Sequence, residues 1–212
     1  MIIRWLGRAC FLLVTQGGTR IVIDPFDPSV GYPPPCVDAH AVTVSHGHHD
    51  HNHVEAVGGD PVVIESEGRY RVREVDIAGY PCFHDELRGE KRGDNLAFAY
   101  DADGVKVCHL GDLGHLLEEP LLGEIGPVDV LLLPVGGVYT LDPAEAWALA
   151  QRMQPRVVIP MHYQTPPLGF PLAPVDDFLA LAGQPGAPVL PELDTANLAH
   201  LPFVVVLDWQ KN

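Results

Sequence analysis

The chain has 212 residues, of which 47% are hydrophobic and 19% are charged, a composition that fits a globular protein and excludes a disordered or fibrous chain. Acidic residues outnumber basic ones by 28 to 13, and the resulting net charge of −15 argues against a long nucleic acid as partner. The longest apolar runs are far shorter than the roughly 18 residues of a membrane span, and the first residues lack the pattern of a secretory signal, so we expect a cytoplasmic protein without a membrane span.

Short apolar or β-branched runs, separated by glycine, proline and polar turns, indicate many strands. In chain order the predicted strands are Ile2 to Leu6, Phe11 to Thr15, Arg20 to Ile23, Ala41 to Ser45, Val62 to Glu65, Tyr70 to Ile77, Tyr80 to Phe83, Leu96 to Tyr100, Val105 to Leu110, Val130 to Leu133, Val157 to Ile159 and Phe203 to Leu207. The segment from Ser29 to Asp38 contains consecutive prolines, so we expect a loop there.

Helices are fewer. The clearest one follows Asp142, because Asp142-Pro143-Ala144-Glu145 combines an N-cap, a proline at the first helical position and a capping-box glutamate; we expect it to run to about Met153. Weaker helical patterns cover Leu116 to Glu124, Pro174 to Ala182 and Asn52 to Val57. Because no break in composition interrupts the chain, residues 1–212 are predicted to form a single α/β domain with two sheets buried between helical layers.

A histidine cluster follows the predicted strand that ends at Ser45, with five of the eleven histidines between His46 and His53. In an extended chain His46 and His48 point to the same side, so both can bind one ion. A turn after His48 would aim Asp50 and His51 at a second ion, and this mixture of nitrogen and oxygen ligands suits zinc, manganese or iron. The alternatives are a solvated polar loop and an adventitious histidine-rich site, and the aspartate placed after a buried strand argues against both.

Ordered motifs extend this pattern over nearly the whole chain. They are Trp5 to Phe11, Ile23 to Phe26, the histidine motif, Phe83-His84-Asp85, His109 to His115, Pro134 to Gly137 and Pro160 to Tyr163. Together they resemble the metallo-β-lactamase superfamily of metal-dependent hydrolases, most specifically the branch of ascorbate-6-phosphate lactonase-like proteins. The resemblance implies an α/β fold of the metallo-β-lactamase type, an αββα four-layer sandwich.

The resemblance also implies a ligand set of seven residues. The first metal ion would be held by His46, His48 and His84, and the second by Asp50, His51 and His162, with Asp112 bridging the two. Without the resemblance, the better interpretation of His84 is a surface or hydrogen-bonded histidine, and that of Asp112 is a structural turn residue. His162 follows a predicted buried strand, as His84 does, and functional side chains are common at such positions.

Three further residues are ambiguous. Asp24 resembles a residue that supports the metal-binding loop in this superfamily, although a simple strand-terminating aspartate is the alternative. His115 lies three residues after Asp112, and we include it with Asp50 and Asp112 as a candidate catalytic residue. Arg8 departs from the family pattern, because relatives often have histidine at this position of the opening motif.

The implied activity is that of a dinuclear hydrolase with two divalent ions, zinc being favoured and manganese or iron being alternatives. Two such ions about 3.5–4 Å apart can present a metal-bridging hydroxide to a small ester, lactone or phosphoester. The positive charge of the two ions is larger than the negative charge of the two aspartates and the hydroxide, so we expect a small, anionic substrate.

Two other functions remain open from the sequence. One is a nuclease of RNA-processing type from the same superfamily, which the acidic charge balance disfavours, and the other is a non-enzymatic metal-binding protein. A homo-oligomer is compatible with the sequence. The proline-rich segment from Gln164 to Pro174, which contains Phe170, is expected to form a wall of the substrate pocket, the alternative being a rigid surface connection.

Overall fold

The computed structural model describes residues 1–209, so residues 210–212 of the predicted domain lie outside the described residues. Its strands are β1 (Ile2–Gly7), β2 (Cys10–Val14), β3 (Arg20–Ile23), β4 (Val37–Asp38), β5 (Ala41–Thr43), β6 (Val57–Gly58), β7 (Val62–Ile64), β8 (Gly68–Val72), β9 (Val75–Phe83), β10 (Asp94–Ala102), β11 (Val105–His109), β12 (Val130–Pro134), β13 (Val157–Met161), β14 (Val189–Leu190), β15 (Leu193–Asp194) and β16 (Val206–Leu207). Its α-helices are α1 (Glu119–Ile125), α2 (Pro143–Met153) and α3 (Val175–Leu181), and short 3₁₀ helices span Pro28–Val30, Val54–Ala56 and Thr195–His200. No helix in this part of the chain is long and apolar enough to cross a membrane.

The first large sheet has the strand order β15-β1-β2-β3-β5-β7. Strands β1, β2 and β3 form the antiparallel meander that their short connections favour. Strands β3, β5 and β7 are parallel to one another. Since β1 and β3 therefore run in the same direction as β5, their carboxyl ends lie at one edge of the sheet. These ends lead into Arg8, Asp24 and Ser45.

The second large sheet has the order β13-β12-β11-β10-β9-β8. Strands β8 to β11 alternate in direction, whereas β11, β12 and β13 are parallel. It follows that β9, β11 and β13 share one direction and end at the same edge of the sheet. The residues after these ends include His84, Asp112 and His162.

The two sheets pack face to face. Along β2 the side chains of Phe11 and Leu13 enter the core between the sheets, whereas Cys10 and Leu12 enter a second core on the opposite face. This alternation follows from the period of two along a strand. Contacts between the sheets include a hydrogen bond of 2.6 Å between the hydroxyls of Thr43 and Tyr100.

The outer layers differ from each other. Helices α2 and α3 cover the second sheet, and the Trp147 and Phe178 rings make an edge contact there with centroids 6.3 Å apart. The outer face of the first sheet is covered by loop residues, among them Phe26, Tyr32 and Leu172. The layer on this side therefore consists of loops, short 3₁₀ helices and the small parallel sheet of β4 and β6.

Most predicted elements are confirmed, but the single strand predicted from Tyr70 to Ile77 is wrong. The structure divides it into β8 and β9, which pair in a hairpin with Val72 opposite Val75. The separate strand predicted from Tyr80 to Phe83 is also wrong, because β9 continues through Gly79 to Phe83. Arg73 makes the turn with a φ of 55°, a conformation that usually favours glycine or asparagine. Because this turn contains no glycine or proline, the apolar alternation on both sides conceals it.

The helix predicted after Asp142 is confirmed as α2. The Asp142 carboxylate accepts a hydrogen bond of 2.8 Å from the backbone N–H of Glu145, and the Glu145 side chain accepts one of 3.0 Å from the backbone N–H of Asp142. This capping box satisfies two donors at the start of the helix. The weaker predictions correspond to α1, α3 and the 3₁₀ turn Val54–Ala56.

Candidate metal centre

Seven potential ligands meet where the carboxyl-end edges of the two sheets come together. They form two groups, and within each group the potential ligand atoms lie within 4.8 Å of one another: His46, His48 and His84 in one, and Asp50, His51, Asp112 and His162 in the other. Both groups combine residues from the two sheets. The structure therefore brings together every residue of the ligand set that the resemblance implies.

The histidine motif reaches this point through a loop. Strand β5 ends at Thr43, and residues 45–48 form bends, so the extended conformation expected for His46 and His48 is wrong. The bends nevertheless bring the His46 and His48 ring centroids to 4.7 Å from each other, and His46 and His84 to 4.8 Å. These three rings converge because of the loop conformation rather than strand alternation.

Asp112 lies between the two groups. One carboxylate oxygen, Oδ2, is 3.3 Å from Nε2 of His84 in the first group. The same oxygen is 3.3 Å from Nε2 of His51 and 3.0 Å from Nε2 of His162 in the second group. A single oxygen therefore contacts potential ligands of both groups, which is the position that a bridging carboxylate requires.

The hydrogen bonding of the cluster fits metal binding. Among residues 1–209, the buried side-chain nitrogen and oxygen atoms without a hydrogen-bond partner are Nε2 of His46, Nε2 of His51, Oδ1 of Asp112 and both ring nitrogens of His162. Leaving such an atom unpartnered costs about 1–3 kcal/mol. Because all of these atoms belong to the two groups, bound cations would account for a concentration of polar atoms that the protein itself leaves unsatisfied.

Asp24 holds the loop of the histidine motif through hydrogen bonds to Ser45 and His51. Its side chain is fully buried and accepts hydrogen bonds from the backbone N–H of Ser45 at 2.8 Å, from the Ser45 hydroxyl at 2.6 Å and from Nδ1 of His51 at 2.8 Å. The Ser45 oxygen in turn lies 2.9 Å from Nδ1 of His46. This network places the Nδ1 protons of His46 and His51 on the side away from the cluster, so their Nε2 lone pairs face it.

Backbone carbonyl groups hold the ring of His84 and the main chain of His162. Nδ1 of His84 donates a hydrogen bond of 2.9 Å to the carbonyl oxygen of Tyr139, which leaves Nε2 for the cluster. His162 has a left-handed backbone with a φ of 54°, and its N–H donates to the carbonyl of Arg8 at 3.0 Å. Gly136 permits this conformation, because a Cβ atom there would collide with the carbonyl oxygen of His162.

The electrostatic environment favours the protonation state of a ligand at His46 and Asp112 but not at His51. Burial alone would lower the pKa of His51, but Asp112 and Asp50 outweigh it and raise that pKa well above its ordinary value. Burial, which disfavours a charged ring, lowers the pKa of His46 to about 3. Burial alone would raise the pKa of Asp112, but the neighbouring His162 and His51 outweigh it and hold that pKa well below its ordinary value. At neutral pH His46 is therefore neutral and Asp112 is ionised, whereas His51 has to release a proton when it binds an ion.

Arg8 has a role that the sequence did not reveal. Its guanidinium donates hydrogen bonds from Nε and Nη2 to Oδ2 of Asp50, at 3.0 and 2.8 Å. Burial alone would raise the pKa of Asp50, but His51 and Arg8 help to lower it to about 2. Arg8 thus places a permanent cation beside a potential metal ligand.

His115 is not brought to the cluster. Its Nε2 accepts a hydrogen bond of 3.2 Å from the backbone N–H of Phe83, and its Nδ1 lies 3.0 Å from the carbonyl oxygen of Leu116. The ring lines a different cleft, which contains none of the seven potential ligands. Its expected place in the catalytic site is therefore corrected to a contact with the backbone, because both ring nitrogens are engaged there.

A cavity of about 420 Å³ opens above the two groups. His48, Asp50, His84 and Asp112 form part of its lining. Leu168 and Phe170 line another part, so the segment from Gln164 to Pro174 borders this cavity as predicted, and its contact with substrate stays a prediction. The cavity has the size of a typical small-molecule site.

The hydrogen bonds of the buried Asp24 carboxylate lead to a prediction about metal affinity. We expect Asp24→Asn to weaken zinc binding by about 10–100-fold, because an amide cannot accept all the hydrogen bonds that orient His51 and, through Ser45, His46. Competition with a chromophoric chelator measures the change. Asp101→Asn removes the same charge at an exposed position and should leave the affinity unaltered.

Should Asp24→Asn unfold, Ser45→Ala interrupts the same network with a smaller change. An unaltered zinc affinity in a folded variant of either kind would contradict the orienting role of Asp24.

Comparisons with known proteins agree with this geometry. A family model described as the beta-lactamase superfamily domain matches residues 2–162. A protein named UPF0173 metal-dependent hydrolase from Thermococcus onnurineus is 32% identical over 215 residues, covering 85% of this chain and 92% of the relative. A protein of the same name from Archaeoglobus fulgidus is 33% identical over 199 residues, covering 79% and 85%.

A solved structure extends the agreement to the fold. It is that of a candidate Zn-dependent hydrolase of the metallo-β-lactamase superfamily from Thermotoga maritima, which is 43% identical and superposes with a TM-score of 0.81 over 97% of each chain. The predicted fold class is thereby confirmed, whereas the lactonase-like branch stays a prediction. This chain belongs to the UPF0173 family of metal-dependent hydrolases, within the metallo-β-lactamase superfamily.

Proposed function

We propose that this chain is a dinuclear hydrolase of a small, anionic ester, lactone or phosphoester. The observation that carries the proposal is the position of Asp112, whose Oδ2 lies 3.0–3.3 Å from potential ligand atoms of both groups. The unpartnered buried atoms around it support the same conclusion. A site for a single ion would have no use for a carboxylate between two separate sets of donors.

In this proposal His46, His48 and His84 would hold the first ion, Asp50, His51 and His162 would hold the second, and Asp112 would contribute to both sites. The nitrogen-rich first group favours zinc, with manganese or iron as alternatives. When bound, the two ions supply an activated water near neutral pH and polarise the oxygen of the group under attack. No serine or cysteine nucleophile is then required.

The chain's own residues hold this arrangement and select the substrate. Asp24 fixes the imidazole of His51, the Tyr139 carbonyl fixes that of His84, and Arg8 fixes one oxygen of Asp50 by two hydrogen bonds. Because the pKa values of both Asp50 and Asp112 are lowered, these carboxylates stay ionised and serve as ligands rather than as proton donors. Preorganised ligands of this kind spend no energy on reorientation when the substrate arrives.

The charges around the cavity favour an anionic substrate despite the net charge of −15 on the whole chain. The formally charged side chains in the lining are Arg8 and Arg92, which balance Asp50 and Asp112. Any divalent ion added to this balanced site makes it positive, so a small anion is attracted locally while the acidic surface repels a long polyanion. The cavity of about 420 Å³ also fits a small molecule.

A substrate panel tests the proposal. The protein is loaded with zinc or with manganese and assayed on a phosphodiester, a carboxyl ester, a sugar-phosphate lactone, structured RNA and a β-lactam. We expect turnover among the small anionic compounds and little on RNA or β-lactams, because size and local charge select together. Turnover of the sugar-phosphate lactone would also support the lactonase-like branch.

Efficient, salt-sensitive cleavage of RNA without turnover of the small compounds would replace the proposal with the nuclease. The absence of turnover for every compound of the panel, with the metals bound, would favour the non-enzymatic metal-binding protein.

A further inference from the structure

The cavity has a cationic and aromatic wall that the metal centre does not use. The guanidinium carbon of Arg92 lies 2.9 Å from the centre of the Tyr139 ring. The Tyr139 ring stacks with that of Phe170, with centroids 5.6 Å apart and planes inclined by 25°. All three side chains line the cavity above the proposed ligands.

The two arginines of the cavity differ in what they contact. Arg8 is already bound to Asp50. The Arg92 guanidinium, by contrast, makes no ion pair with any carboxylate among residues 1–209. Its contact with Tyr139 orients the planar group and leaves its N–H donors available for a ligand.

This wall is held in a fixed position. The backbone N–H of Arg92 donates a hydrogen bond of 2.7 Å to Asp85, whose buried carboxylate also accepts from the backbone N–H groups of Leu87, Gly89 and Lys91. Tyr139 has a φ of 77°, and its carbonyl oxygen accepts the hydrogen bond from His84. Tyr139 thus connects the two sites, because its carbonyl oxygen contacts the proposed ligand His84 and its ring contacts Arg92.

The exposed apolar surface of the wall also requires an explanation. Tyr139 is 45% exposed and Phe170 is 39% exposed, although both are large side chains. Leu168 and Val30 add apolar surface to the same cavity. Apolar groups beside an unpaired guanidinium are the surroundings that a molecule with an apolar body and an anionic end would bind.

We infer that Arg92, Tyr139 and Phe170 form a recognition subsite for a carboxylate or phosphate group of the substrate. This anionic group is separate from the bond to be hydrolysed, and a short apolar body carries it. This inference rests on the proposed function for the position of the reacting bond. The planar guanidinium matches either oxyanion with two parallel hydrogen bonds. The substrate class is accordingly a small amphipathic ester, lactone or phosphoester with a second, unreactive anionic group.

Binding of probe compounds tests the subsite directly. Calorimetric titrations of the zinc-loaded protein use benzoate and phenylphosphonate as the two anions and benzamide as a neutral isostere. We expect Arg92→Gln to weaken whichever anion the unaltered protein binds more tightly by at least about tenfold, while benzamide changes by less than about twofold. Arg92→Lys should recover only part of the loss, because lysine keeps the charge without the planar fork.

Arg88→Gln is the matched control, since Arg88 is exposed in the same loop and does not line this cavity. It should bind the anions like the unaltered protein. Phe170→Ala should weaken all three compounds, benzamide included, because it removes apolar surface. Equal losses in Arg92→Gln and Arg88→Gln, no loss in Arg92→Gln, or no anion binding by the unaltered protein would overturn the inference.

Hydrolysis separates the subsite from the proposed function. The esters phenyl acetate and 4-acetoxybenzoate differ by one carboxylate, so Arg92→Gln should raise KM for 4-acetoxybenzoate about tenfold, with kcat for both esters nearly unchanged. Elemental analysis should show an unaltered metal content. Anion binding that depends on Arg92, without turnover of any ester, lactone or phosphoester, would refute the hydrolase and retain the subsite. Turnover together with binding independent of Arg92 would do the reverse.

Discussion

Asp112→Ala should lose bound metal and activity together, with a fall of at least about 10³-fold in kcat/KM. The reason is that Oδ2 of Asp112 is the atom close to potential ligands of both groups, so its removal separates the two proposed ions. Zinc content, measured by elemental analysis after dialysis, should fall together with the activity. Steady-state kinetics on the best substrate of the panel gives the size of the effect.

The fold of this variant should survive. The backbone N–H of Asp112 donates a hydrogen bond of 3.0 Å to the side chain of Asn95, and alanine at position 112 keeps that bond. Circular dichroism should therefore show an unaltered secondary structure. Asp101→Ala, at an exposed strand position, controls for the loss of one carboxylate. Normal turnover in Asp112→Ala would show that the bridging ligand has been misplaced.

The second large effect is expected from metal removal. The metal-free protein should bind two divalent ions per chain, and each ion should stabilise the fold by about 4 kcal/mol when its free concentration is a thousand times Kd. For a chain of this length that corresponds to a rise in Tm of roughly 10 °C per site. Titration calorimetry gives the number of ions, and thermal unfolding with and without a chelator gives the stabilisation.

Variants that each affect one group sharpen this measurement. His48→Ala and Asp50→Ala remove a side chain from the first and the second group respectively, so each should retain one tightly bound ion. His53→Ala removes a histidine of the same segment that belongs to neither group and should retain both. Saturation at one ion in the unaltered protein, with Asp50→Ala unchanged, would refute the two-metal centre.

Local sequence determined several features of this protein. The capping box at Asp142 was predictable because its two hydrogen bonds join residues only three apart. The spacing from His46 to His51 was informative for the same reason, since neighbouring residues on one loop stay close in almost any conformation. The strand pattern was readable at most turns that a glycine marked. It failed at Arg73, where the turn has neither glycine nor proline, and at Gly79, which lies inside the continuous strand β9.

His84, Asp112 and His162 were predictable only through the resemblance to a family. Taken alone, each is a polar residue after an apolar run. They meet because β9, β11 and β13 share one direction in the second sheet, so that their carboxyl ends lie at one edge. The order and direction of strands is a property of the whole sheet, which no single segment encodes.

Contacts between distant segments were decided by the tertiary structure alone. Arg8 pairs with Asp50, and Arg92 lies on the Tyr139 ring, although nothing near either residue in the sequence indicates its partner. His115 shows the converse, since it is close to Asp112 in sequence but its ring contacts the backbone of Phe83. Proximity along the chain restricts backbone position but not side-chain direction. The sequence therefore determined the chemistry of the centre, whereas the packing of two sheets and their loops decided which charges and rings surround it.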